Sequence, residues 1–200
     1  RTAGRTRLAA RACRSAVSLA DKSGNRYEMQ WCRIEYGQLF ARAGRWERAR
    51  EPWQTGWSEH PGADSVPAGI LSLLLGRADV RRDASAEAET RLDAVEAWLQ
   101  RHRAPYLRAQ ALQLRAEVLL ARADAAAAEP AARAALDAFE ALPAPADTAA
   151  AALEFARIAN GNGLAARVPV GEWLRRSAAC FELVGDRSGR ERALALAVDW

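Results

Sequence analysis

Two histidines, three cysteines and a run of carboxylates are the side chains in this 200-residue sequence whose types could do chemistry. His60 precedes Pro61, and His102 follows "WLQR" in the corresponding place one period later. An imidazole acting as base or metal ligand needs a second group at fixed spacing, and no His-Glu-x-x-His, Gly-x-Ser-x-Gly or Cys-x-x-Cys is present. Capping of helix C-termini by imidazole is the expected role. Glu87, Glu89, Asp93 and Glu96 crowd one stretch. General acid–base work would need two of them in a shared cleft, so a helix dipole and a solvated face suit them better. Cys13, Cys32 and Cys180 are isolated and odd in number, which implies neither a disulfide framework nor a zinc site but small buried hydrophobes. "NGNGLAARVPV", Asn160 to Val170, is either a binding loop or a long turn; a phosphate loop would need a following Gly-Lys-Ser/Thr, which is missing. These patterns predict no enzyme, no catalytic or metal-ligating residues and no cofactor.

The totals agree with a binding or structural role. Half the residues are hydrophobic and 27% are charged, as in ordinary folded soluble proteins. No apolar run reaches membrane-spanning length and no secretory signal opens the chain, so a cytoplasmic protein without membrane contact is expected. The net charge is +4, and 12 of the 29 basic residues lie in the first 50 positions. A basic end invites nucleic acid. Arg1, Arg5, Arg7, Arg11 and Arg14 lack interleaved aromatics and any DNA-reading motif, so a solvated helix face or a contact to a preceding domain is predicted instead. Lys22 is the only lysine, and alanine is heavily used, a bias that suggests a GC-rich bacterial genome. The chain starts at Arg1 without methionine and stops at Trp200 inside an apolar periodic run, from which a piece of a longer multidomain polypeptide is expected.

The elements that must position these residues recur with a period of about forty. Trp57, Trp98, Phe139 and Phe181 are spaced by 41, 41 and 42 residues, with Val17 40 residues earlier. A second series of small residues, Gly37, Gly76, Ala116 and Ala156, runs at the same period. Two offset markers per period mean two helices per unit. The breakers then predict ten helices, over about 1–20, 25–43, 45–60, 65–81, 84–102, 104–122, 125–141, 146–160, 167–184 and 187–200, with an eleventh expected before residue 1. No alternating strand pattern occurs. The fold class is all-α, a single domain over 1–200.

The stretch "YGQLFARAGRWERAREPWQTGWSEHP", Tyr36 to Pro61, shows how such hairpins close. Each interior glycine costs about 1 kcal/mol relative to alanine, so Gly37 and Gly56 are predicted as sockets for Phe40, Trp53 and Trp57 across the hairpin. Gly44 is predicted as the left-handed turn between the two helices.

The order Gly37, Phe40, Gly44, Trp46, Ala49, Trp53, Gly56, Pro61 resembles a tetratricopeptide repeat, with degraded copies at Gly76 and Ala88, at Ala116, Leu119 and Ala128, and at Phe155 and Ala156. The long, degenerate period is most similar to the tetratricopeptide-like sensor region of large LuxR-type bacterial transcription regulators of the maltose-activator kind. The resemblance implies a right-handed α-α superhelix of about five stacked hairpins. Its concave groove would be lined by Trp31, Ile34, Gln38 and Arg42, by Arg77 and Arg81, by Gln110, Gln113 and Glu117, and by Leu153 and Arg157. An aromatic with arginines and amides suits an acidic peptide, a protein or a small effector. The function implied is a non-catalytic regulatory sensor or oligomerisation domain contacting other domains of its parent; the alternative is a free-standing adaptor that recruits a peptide or protein. Direct nucleic-acid binding is not expected. Self-association is expected through end faces carrying Val17, Leu19, Leu194, Leu196 and Trp200.

Overall fold

The computed structural model describes residues 2–59 and 64–197, with side chains from Leu8 onward. His60, Pro61, Gly62 and Trp200, and the side chains of Arg1, Arg5 and Arg7, lie outside the described residues. Among those described the fold is all-α: α1 (Thr2–Ser23), α2 (Arg26–Ala41), α3 (Trp46–Ser58), α4 (Val66–Val80), α5 (Ser85–Leu99), α6 (Pro105–Ala121), α7 (Ala125–Glu140), α8 (Pro145–Gly161), α9 (Val170–Leu183) and α10 (Arg187–Ala197). The ten helices match the ten expected from sequence, with ends displaced by a few residues.

Local chemistry explains the boundaries. The side chains of Asn25, Ser65 and Asp124 accept backbone N–H bonds from the first turns of α2, α4 and α7, as N-caps do. Pro105 and Pro145 open α6 and α8, where a missing N–H costs nothing. α3 and α7 run through Pro52 and Pro130, positions that each remove one i→i−4 bond.

The forty-residue period reappears as one turn used four times. Gly44, Asp83, Ala123 and Gly163 have φ of 72°, 58°, 58° and 67°. At each, the next residue donates its N–H to a carbonyl five back: Arg45 to Phe40, Ala84 to Asp79, Asp124 to Leu119 and Leu164 to Ala159, at 2.8–3.0 Å. The turn residue itself bonds three back, to Ala41, Val80, Leu120 and Asn160. This paired pattern closes a helix with a left-handed residue. Gly185 repeats it at the end of α9, with Asp186 bonded to Phe181.

The chain forms two compact units, 1–98 and 99–200. In the first, α1 packs on α2, α2 on α3, and α4 on both α3 and α2. In the second, α6 packs on α7, α8 on both α7 and α6, α9 on α8, and α10 on α9. Within each unit, then, consecutive helices pair and the first helix of one pair touches the first helix of the next.

Small residues set those approaches. The series Gly37, Gly76, Ala116 and Ala156 is buried throughout, as are Ala49, Ala88 and Ala128. A Cβ at Gly37 would overlap the indole of Trp53, with Cδ1 2.5 Å away. Trp53 is fully buried, and its Nε1 donates to the Ile34 carbonyl at 3.2 Å. Gly56 departs from expectation: its neighbours are the Arg33 side chain and Leu71 Cδ1, both 3.1 Å from a Cβ there, rather than an aromatic ring. The reason is charge: Arg33 is drawn inward between Asp21 at 3.0 Å and Glu59 at 2.8 Å. Gly189 of α10 reuses the socket device beneath Phe181.

Candidate functional site

The surface formed by α2, the α2–α3 turn and the end of α4 gathers the densest set of sequence-predicted residues. α4 is nearly all buried, and its last turn brings Arg77 and Arg81 out to half-burial. Both guanidinium groups lie over the Trp46 ring, 5.6 Å and 4.4 Å from its centroid. Such stacking holds a cation by the ring's quadrupole and fixes its long side chain. Trp46 in turn packs at 6.2 Å against Trp53, the residue seated on Gly37. On α2, Gln38 is half-buried and Arg42 exposed, and Arg42 Nη2 donates to Gln38 Oε1 at 3.4 Å. Across the turn, Arg45 lies 5.5 Å over Phe40.

Beneath this surface a carboxylate is locked away. The Asp79 side chain is 3% exposed and accepts from Arg50 Nη2 at 3.2 Å and Arg91 Nε at 2.8 Å. Arg91 also lies 5.8 Å over Trp57. Asp79 thereby ties α3, α4 and α5 together within the first unit.

The remaining predicted residues divide into surface and core. Trp31 is half-buried against Tyr27, ring centroids 6.1 Å apart. Arg157 is exposed, 3.7 Å from Glu154. Ile34 is fully buried and Leu153 nearly so; these two side chains belong to the cores of their units. Gln110, Gln113 and Glu117 form a row along α6 and are all buried, Glu117 completely, with Gln113 Nε2 donating to Glu117 Oε1 at 2.8 Å. Polar type made them look like groove residues, whereas burial makes them an internal polar row.

The other sequence candidates fall as follows. His102 is exposed, in the turn after α5. Glu87 and Asp93 are exposed, Glu89 and Glu96 half-buried. The three cysteines are free and half-buried. Burial raises the thiol pKa of Cys32, helped by Glu28, and that of Cys180, helped by Glu140. The 160–170 segment is a long turn anchored by Leu164, Val168 and Val170, all buried. Among the described residues no group of three or more His, Cys, Asp or Glu could hold a metal ion, and no helix is long and apolar enough to cross a membrane.

Sequence reasoning passed over Trp46 as the ring beneath Arg77 and Arg81 and Asp79 as a buried anchor. The i, i+4 pair Arg77 and Arg81 was the available signal for the first; nothing local marks the second. No protein-family model matches this chain, and no curated protein matches it either.

Proposed function

We propose that the chain is a non-catalytic partner-binding module, the helical-repeat sensor region of a cytoplasmic bacterial transcription or signalling regulator. In this reading the α2–α4 surface of the first unit takes an acidic segment of a peptide or protein. The observation that carries it is the pair Arg77 and Arg81 stacked on Trp46, with Arg42 bonded to Gln38 on α2, a helix that packs against α4. Guanidinium groups held by an aromatic ring lose little rotamer freedom on binding a carboxylate. The tetratricopeptide-like order of residues in 36–61 and the forty-residue period support a repeat module over an enzyme.

Fluorescence anisotropy with a labelled poly-glutamate peptide tests the site. Arg42→Glu and Arg77→Glu should each weaken binding about tenfold. Binding unchanged in both variants would reject this surface.

A further inference from the structure

The second unit carries a separate concave site at the turn between α5 and α6. A depression of about 520 Å³ is lined by residues 99–105 and Arg108, within the sequence "LQRHRAPYLR". Arg101, His102, Arg103 and Arg108 are all exposed, and no carboxylate is among the lining residues. Three arginines thus line one short concave surface, where their like charges favour a bound dianion over a neutral ligand. Arg108 is already oriented, because its Nη2 donates to the Leu99 carbonyl across the turn at 3.3 Å.

We propose that this depression binds a phosphomonoester. Three forked cations suit an oxyanion with three equivalent oxygens and a charge near −2 better than a single carboxylate. The volume lies within the range of small-ligand sites and leaves room for an organic group beyond the phosphate. α6 begins at the same place with Ala104 supplying no capping side chain, so the helix N-terminus adds to the field without defining the site. The basic lining is a choice of this sequence rather than of the fold. The α7–α8 turn holds a comparable depression of about 620 Å³, but it is lined by Tyr106, Leu142, Pro143, Pro145, Asp147 and Val184.

The test is an amide NMR titration of the full chain with phenyl phosphate, inorganic phosphate and a phosphoserine pentapeptide. Each is set against sodium chloride at matched ionic strength. Saturable shifts confined to residues 100–108 are expected with phenyl phosphate. A stronger response to the pentapeptide would assign the phosphate to a modified protein, and an equal response to inorganic phosphate would assign it to a free anion. The double variant Arg101→Gln, Arg103→Gln should raise the dissociation constant at least about tenfold, with an unchanged melting curve because both side chains are exposed. Shifts reproduced by sodium chloride alone, or equal in the double variant, would overturn the proposal. So would shifts that map to the α2–α4 surface, a result that leaves the first unit's site to be judged on its own variants.

Discussion

At the residue scale, Gly37 has the sharpest consequence. Its missing side chain is the space that Trp53 occupies, so Gly37→Ala must displace an indole that is fully buried and hydrogen-bonded to Ile34. Overpacking of this kind costs about 1–3 kcal/mol, and because helix propensity favours alanine by about 1 kcal/mol, a net loss in urea denaturation measures the socket itself. Trp53→Ala should cost about 3–5 kcal/mol. The cysteines give a second residue-level test. Burial disfavours the thiolate of Cys180, with Glu140 adding repulsion. A raised pKa leaves less thiolate at pH 8, so iodoacetamide should modify Cys180 more slowly than a free thiol in the native chain and at the free-thiol rate in urea. Equal rates would show that its environment is solvent-like. Gly37 and Gly44 could be read from sequence because a close helix approach and a left-handed turn both favour glycine, although Asp83 and Ala123 hold the same turn in other repeats. Gly56 was half-read: its need for space was legible, but the Arg33 that fills it depends on Asp21 and Glu59, 12 and 26 residues away in sequence.

At the scale of elements, the repeated helix-ending turn makes a prediction opposite in sign. Ala123 holds the left-handed position that glycine occupies at 44 and 163, and a Cβ there is strained. Ala123→Gly should therefore stabilise by about 0.5–1 kcal/mol, the reverse of glycine's usual effect. An unchanged or lowered melting temperature would refute the repeat-turn assignment. Two ion-pair networks then contrast. Asp79→Ala strips Arg50 and Arg91, whose side chains are 28% and 19% exposed, of a buried partner, and should cost about 3 kcal/mol. Arg176 joins α9 to Glu140 at 2.7 Å and Asp137 at 3.2 Å on α7, and those partners are 50% and 63% exposed. Its hydrogen bond to Glu140 raises its pKa, yet solvent screening limits Arg176→Ala to about 1 kcal/mol or less. Denaturation of the two variants side by side checks the order.

At the scale of the whole molecule, the chain divides into two compact units. The second contains an apolar cluster running from Ala109 to Ala193 that includes Phe139, Phe155, Trp173 and Phe181. Repeat arrays draw stability from neighbouring pairs, so residues 99–200 expressed alone should stay helical by circular dichroism and unfold cooperatively. A fragment without a cooperative transition would mean that this core needs residues 1–98. Of the hydrophobes expected at the end faces, Leu19 is 66% exposed and Leu194 42% exposed, whereas Val17 and Leu196 are half-buried.

The sequence by itself determined the all-α class, the count and order of the helices and the forty-residue period, because these follow from short-range effects: helical spacing of apolar residues, N-caps, prolines and turn glycines. It also marked Arg77 and Arg81. Only the tertiary structure decided that Gln110, Gln113 and Glu117 face inward, that Asp79 is consumed by two arginines, and that Asp83 and Ala123 do the work of glycine. Whether a polar side chain meets water depends on helices packed against it from elsewhere in the chain, and a turn's hydrogen bonds can hold a left-handed residue whose type does not announce it. Those are properties of packing and geometry, which no local pattern of residue types encodes.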